Sequence, residues 1–431
     1  MDKKIKIVFL EAYSTVMLYK ISKELRKKGH RTILIRILKP NESDKLFYKD
    51  AYDEVIDLNI DFVKINLKNI FQIFFSFFKN LKSILSCYRQ VLRFKPDIII
   101  GRANPNLPVA FFRILFRKTP FVYFPYDIRV HYAPTIEIAK KERGLSIMEI
   151  KAERFCFENS DGILHKGAPE ELGYINGRML GDNINLPKHI LAFHPYCSDE
   201  FIMPLNKNKL SKKDKEIHLV CIGSGGNRTK QLYELYFETA KHIIQKKINF
   251  HVYIGSNTQS EIDEKELFLS EHKDFPNIEY FHIHEALDPK ELIREISKYD
   301  FAISFPPPKS LPKHNIDPKF AVGNRESTFW EAGIPHFYPY NVEYTDEIMK
   351  KYNLSFPISL GRKNNISNIK KRIKKLDYKT LEKNIQKARK DFNVAKNIPL
   401  FEKFLISIIN DKSKPKALSY YMCYFLKNYQ K

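Results

Sequence analysis

Residues 218–230 read HLVCIGSGGNRTK. The run 218–222 is apolar and of strand length, Gly223-Ser224-Gly225-Gly226 is a turn without obstructing side chains, and from about Thr229 the spacing becomes helical. Strand, glycine turn and helix form the opening of a βαβ unit, whose backbone N–H groups and helix N-terminus can close on phosphate oxygens. Arg228 and Lys230 add positive charge where the helix dipole is already positive. The next strand, 250–254, runs into Gly255-Ser256-Asn257 in place of the acid that would hold an adenosine ribose, which disfavours a nicotinamide dinucleotide. Working outward, the same rhythm opens the chain: strand 5–10, helix 17–28, Gly29 as its stop, strand 32–37. There the first turn, Glu11-Ala12-Tyr13-Ser14-Thr15, has no glycine. Further strands are read at 98–100, 121–124, 162–165, 278–282 and 301–304, and helices at 149–159, 229–245 and 289–299. The fold class is therefore α/β, with two doubly wound parallel-sheet domains in tandem. Their bounds are read as 1–195, a polar linker 196–215, 216–378, and basic C-terminal helices 379–431 that can return to the N-terminal domain.

Composition narrows the function classes. With 431 residues, 43% hydrophobic, 33 Phe and 24 Tyr, the chain can bury two or three cores, and disorder is excluded. Lys and Arg number 73 against 50 Asp and Glu, a net charge of +23 that favours an anionic partner. Cys87, Cys156, Cys197, Cys221 and Cys423 stand singly, so neither a zinc site nor a disulfide framework is expected. The N-terminal apolar run is too short for a signal peptide and no stretch suffices for a spanning helix, so a cytoplasmic protein is expected, with peripheral attachment to the inner membrane face as an option.

A second constellation lies at 323–335, GNRESTFWEAGIP. A helix starting here could aim backbone N–H groups, the hydroxyls of Ser327 and Thr328, Asn324 and Arg325 at a diphosphate, leaving Glu326 or Glu331 to accept from a ribose. The plainer reading is an N-capped helix with solvated acids.

The ordered set of stretches 6–10, 25–30, 95–99, 120–123 with Asp127, 153–164, Pro195-Tyr196-Cys197-Ser198-Asp199-Glu200-Phe201, the Gly223 loop and Ala332-Gly333-Ile334-Pro335 resembles the glycosyltransferases of GT-B type, group 1 lineage, over roughly residues 5 to 340. The resemblance implies two Rossmann-like domains facing across a cleft, the second binding a nucleotide-diphosphate sugar as co-substrate and the first the acceptor. Many relatives carry two glutamates eight residues apart; here the second position is Thr328 and 306–315 supplies no acid at the first. Those roles do not carry over, and Glu326 and Glu331 stand as substitutes by proximity.

On the acceptor side Asp127 and His131 follow a strand's carboxyl end, where α/β sheets place ligands, and are the catalytic candidates, with Glu11 on the first turn. His282 and His284 alternate on one strand face and read as structural or substrate-lining rather than metal ligands. In the long helix expected at 69–94, Phe71, Phe74, Phe75, Phe78, Leu81 and Leu85 recur at steps of three and four among Lys79, Lys82, Arg89 and Arg93, a pattern that fits either an interfacial helix or one packed on the sheet. The expected function is metal-independent sugar transfer to a glycan or lipid-linked acceptor, with an anionic membrane surface as a further partner. The alternatives are a nucleotide-sugar epimerase of the same architecture and a basic nucleic-acid-binding protein, for which no recognition motif is present.

Overall fold

The computed structural model describes residues 4–12, 14–38, 49–60, 80–103, 105–223, 229–254, 259–304, 313–360, 365–411 and 416–426. The chain divides into two compact units, one of Met1–His194, Lys313–Asp317 and Asn397–Lys431, the other of Pro195–Pro312 and Pro318–Lys396.

The first unit holds a seven-stranded sheet in the order β3-β2-β1-β4-β5-β6-β7. Its strands are β1 (Lys6–Glu11), β2 (Arg31–Arg36), β3 (Glu54–Asp57), β4 (Ile98–Arg102), β5 (Phe121–Phe124), β6 (Gly162–His165) and β7 (His189–Ala192). All pairings are parallel, with Glu11 opposite Arg36 and Leu10 opposite Gly101. Helix Val16–Lys27 forms where the sequence places it: Thr15 caps its start by accepting from Leu18 N–H, and Leu18, Ile21 and Leu25 face the core. Within the stretch expected as helix, Leu81–Phe94 is helical and buries Ile84, Cys87 and Val91. Its other side carries Lys82 and Arg89 beside Leu85, which is 45% exposed. Phe71, Phe74, Phe75 and Phe78 lie outside the described residues. Among the described residues no helix is long and apolar enough to cross a membrane.

Two helices from the end of the chain complete this unit. Along Val394–Ile409, Phe401 packs edge-on against Phe193 with ring centroids 5.0 Å apart, and Ile408 lies so close over Gly162 that a Cβ there would collide with it. Glu402 pairs with His30 at 2.7 Å and with Lys28. Helix Leu418–Leu426 sets Tyr421 and Tyr424 against Phe155.

The second unit repeats the plan with six strands ordered β10-β9-β8-β11-β12-β13: β8 (His218–Gly223), β9 (Asn249–Ile254), β10 (Phe281–His284), β11 (Phe301–Ile303), β12 (His336–Pro339) and β13 (Pro357–Ile358). The strand expected at 278–282 begins later, because Ile278–Tyr280 forms a 3-10 turn entered through Asn277 in the left-handed region. The stretch read as a linker, 196–215, is packed into this unit. Cys197 bridges Asn393, Met203 N–H donates to the Glu331 carbonyl, and Lys209 donates to the carbonyls of Ser297 and Tyr299 at 2.8 and 2.9 Å. Burial brings the Lys209 ammonium down to about 8. Helix Tyr378–Asp391 also belongs here, burying Leu381, Ile385 and Ala388.

Candidate functional site

In the second unit, β8 feeds helix Thr229–Ile244 through a connection whose Ser224, Gly225, Gly226 and Arg228 lie outside the described residues; for Lys230 only the backbone is described. Gly223, the last residue of β8, has a steric reason to be glycine: a Cβ there would run into the Tyr236 hydroxyl from that helix. The Arg325 guanidinium sits near enough to pull against the rise that burial gives the Tyr236 hydroxyl and the Cys221 thiol, the latter pushed up to about 12. The structure thus brings Gly223, at the carboxyl end of the central strand, together with Arg325, from the start of helix Asn324–Glu331.

The other residues of that helix are placed differently from one another. Ser327 and Thr328 both donate to the Asn324 carbonyl, at 2.9 and 3.1 Å, so their hydroxyl protons are spent within their own turn. Glu326 is buried, folds back against Gly323 at the N-cap and accepts from Ser304 Oγ at 3.0 Å; its Oε2 has no partner among the described residues. Glu331 is 0% exposed and accepts the Ser198 N–H at 2.7 Å, so the structure gives it to the backbone of 197–203 and not to an accessible surface.

In the first unit the carboxyl edge of the sheet is crowded with charge. Glu11, 0% exposed at the end of β1, accepts from Thr15 Oγ1 at 2.9 Å. Burial pushes its carboxyl up to about 7 against the opposing pull of Arg102 and Arg36. Arg36 is tied to Asp57 by two hydrogen bonds of 2.7 and 3.0 Å. The Tyr126 ring lies within reach of two cations, Arg102 at 4.1 Å and Lys166 at 3.9 Å from its centroid. Lys166, directly after β6, donates to Asp127 Oδ1 at 2.9 Å. Burial alone would lower its pKa, but Asp127, Tyr126 and Asp317 more than offset this and hold the ammonium above its ordinary value.

The two catalytic candidates of this unit part company here. Asp127 is half-buried, with its side chain 37% exposed. His131 is 0% exposed, with Nδ1 3.4 Å from Glu171 Oε1, and His165 Nδ1 meets the other oxygen of that carboxylate at 2.9 Å. Burial would raise Glu171, yet these two imidazoles bring it below its usual range. The expectation of an accessible catalytic His131 is corrected accordingly: its strand-end position is right, but its ring is turned into the core. Asp317, which no motif singles out, joins Asp127 and Lys166. No spacing links it to them, since the contact depends on segment 313–317 belonging to the first unit.

His282 and His284 belong to a larger array. Asp214 Oδ2, His218, His251 and His284 follow one another at 2.8, 3.0 and 2.9 Å, and His282 stacks on His251 with centroids 4.3 Å apart. One set of tautomers satisfies the run: each Nε2–H donates to the preceding acceptor, with Nδ1 left to accept from the next ring. Burial, reinforced by the neighbouring rings, lowers His251 to about 2 and His284 to about 4, so these two rings are neutral. Among the described residues no group of three or more His, Cys, Asp or Glu has an arrangement that could hold a metal ion.

No protein-family model matches the chain, and no curated protein matches it in sequence. In structure it is similar to sucrose-phosphate synthase from Thermosynechococcus elongatus (TM-score 0.66, 12% identity, 94% of this chain and 100% of that one). It is also similar to Anabaena HepE in complex with UDP and glucose (TM-score 0.63, 12% identity, 94% and 100%) and to a glycosyltransferase from Rickettsia africae ESF-5 (TM-score 0.60, 14% identity, 95% and 100%). With both sheets parallel and ordered alike over nearly the whole chain, the protein has the GT-B fold, that of two Rossmann-like units in tandem.

Proposed function

We propose that this protein is a glycosyltransferase that moves a sugar from a nucleoside-diphosphate donor to a hydroxyl of a glycan or lipid-linked acceptor, with the donor on the second unit and the acceptor on the first. The observation that carries this reading is the meeting of Gly223, the Tyr236 hydroxyl and Arg325 at the carboxyl end of β8. There a bare backbone and a guanidinium suit a diphosphate, and the reversal of strand order between β8 and β11 is where open α/β sheets bind ligands. Arg325, Arg228 and the start of helix Thr229–Ile244 stabilise the negative charge that develops on the departing diphosphate, without a metal ion. UDP in the complex of a similarly folded protein supports a uridine nucleotide as the first probe.

Mechanism on the acceptor side starts from Asp127. Its carboxylate is partly accessible and oriented by Lys166, and accepts a hydrogen bond from the incoming hydroxyl. Glu326, Glu331 and His131 have no step in this scheme.

The test is calorimetry and thermal unfolding of the full chain with UDP, GDP and ADP, in the presence and absence of EDTA. A nucleoside diphosphate at 100 times its Kd adds about 2.7 kcal/mol of stability. Binding of none of them would defeat the reading, and binding or transfer that required added Mn²⁺ or Mg²⁺ would defeat its metal-free form.

A further inference from the structure

A cavity of about 430 Å³ opens on the second unit between residues 199–202 and the junction of two helices, the last turns of Tyr378–Asp391 and the first turn of Val394–Ile409. All the residues that line it belong to that unit. The segment behind it, 197–203, grips helix Asn324–Glu331 at the end remote from Arg325: Glu331 takes the Ser198 N–H on its carboxylate at 2.7 Å and the Met203 N–H on its carbonyl at 2.9 Å. The cavity is thus at the opposite end of that helix, about 12 Å long, from the proposed donor site.

Its charge is unbalanced. Arg389 lines it and is 9% exposed. Nη1 donates to the Met203 carbonyl at 2.8 Å, and among the described residues no other acceptor and no carboxylate meets the guanidinium. Burial brings that group down from its ordinary value, and it is the Cys197 thiol, not a carboxylate, that pulls the other way. Lys390, exposed on the same turn, likewise has no acid within ion-pair distance among the described residues. Lys396 leans on Asp391 at 2.8 Å. Asn393, which is buried, donates to Asp199 Oδ1 at 2.7 Å and accepts the Ala395 N–H at 2.9 Å, so the positive end of the following helix is turned to the same space.

A cation taken out of water needs a counter-charge, and here the chain provides one backbone carbonyl. The N–H groups left over are the planar fork that fits two oxygens of a phosphate. The volume, however, is that of a site for a small organic molecule, for which about 300 Å³ is the lower bound. Asp199 at the rim tells what the rest of the ligand carries, since a carboxylate repels an oxyanion but accepts from hydroxyls. We propose that this cavity binds a soluble phosphorylated sugar, with its phosphate on Arg389 and Lys390 and its hydroxyls on Asp199. The site stands apart from the donor site and does not depend on the transfer reading above.

The test is calorimetry of the full chain with ribose 5-phosphate, glucose 6-phosphate and glucose 1-phosphate, beside inorganic phosphate and the free sugars. At least one sugar phosphate should bind about tenfold or more tighter than inorganic phosphate, and the free sugars should give no heat. Arg389→Lys keeps a donor for the Met203 carbonyl but loses the fork, and should weaken that sugar phosphate about 30-fold. Lys390→Ala, an exposed change that leaves the fold alone, should weaken it about fivefold. Asp199→Asn should narrow the lead of the sugar phosphate over inorganic phosphate. Saturation with UDP should not displace it. No binding of any sugar phosphate up to about 10 mM, equal affinity for inorganic phosphate, displacement by UDP, or parent affinity in both Arg389→Lys and Lys390→Ala would each overturn the proposal.

Discussion

β1 and β8 hold the same place, third in the order of their sheets, and each feeds a helix from the carboxyl edge where its own sheet can open a crevice. One ends in Glu11 and the other in Gly223. In the first unit the crevice is already filled, because a buried carboxylate stands there between two arginines and its charge is answered from within the protein. In the second the absent side chain lets a helix bring a hydroxyl up to the strand end, and Arg325 faces the same place. On the proposed function, the fold offers the same anion site twice and uses it once, the choice lying in a single residue at the strand terminus.

The harshest test of that comparison is to copy one turn into the other. Gly223→Glu forces a side chain into the Tyr236 hydroxyl and sets a negative charge where a diphosphate is expected. Overpacking of this kind costs about 1–3 kcal/mol. Denaturant unfolding should show that loss, and calorimetry a fall in UDP affinity of about 100-fold or more, from lost hydrogen bonds and added repulsion together. UDP binding at the original affinity would mean that the ligand sits elsewhere.

Arg325→Ala sharpens the comparison from the other side. Removal of one charge-assisted contact to a phosphate is worth about 2 kcal/mol, or about 30-fold in Kd. Little change in thermal stability should accompany it, because the residue is only half-buried. Equal affinities of variant and parent would detach this helix start from the donor.

The two units should also answer to pH in opposite directions. The Glu11 carboxyl is raised from 4.5 to about 7 on folding, so over that window the unfolded chain has lost a proton that the folded one keeps, and stability falls as pH rises. The fall amounts to at most about 3 kcal/mol and levels off above about pH 7. Glu11→Gln should flatten that slope in unfolding measured between pH 5 and pH 8, buffers chosen by the usual range of carboxyl and imidazole titration at about those values. An unchanged slope would show that the carboxyl is not the group responsible.

The smallest effect belongs to the histidine ladder. His251 and His284 are lowered from 6.5, His284 to about 4, so these two rings contribute stability above pH 6.5 that is lost as the pH falls towards 4. His284 is half-buried and partly screened, and its share is about 1–2 kcal/mol. His284→Asn should make the acid-induced loss of second-unit structure, followed by hydrogen exchange, shallower; the same acid profile in the variant would place the sensitivity in other groups.

Much of the fold was legible because strands buried on both faces are continuous apolar runs: 121–124 and 162–165 were read with their observed bounds. β3, β7 and β13 are not marked in this way, for the converse reason: no residue of His189–Ala192 is fully buried. Glu54–Asp57 buries only Ile56 fully, and Pro357–Ile358 is two residues long at a sheet edge. The site was less legible, since burial direction is not a property of residue type. Glu326 and Glu331 look alike in GNRESTFWEAGIP, yet one turns back on Ser304 and the other inward to Ser198. Position at a strand end marks Asp127 and His131 alike, but His131 closes a 3-10 turn and its imidazole lies against Glu171. Asp317 left no mark at all, because its neighbours are brought to it only by the tertiary fold.

The return of the last two helices to the first sheet has a consequence for how the protein comes into being. Phe193, Gly162 and Phe155 leave the ribosome early, while Phe401, Ile408, Tyr421 and Tyr424, which cover them, are made more than two hundred residues later. The second unit, drawn almost wholly from one continuous stretch, has its complete core by residue 396. Synthesis in order therefore favours closure of the second unit while the first still exposes the surface around β6, a long-range contact whose loop must be closed last. Nascent chains stalled near residue 400 should resist protease in the second unit and be cut in the first, and release of the final segment should be the step that shuts it.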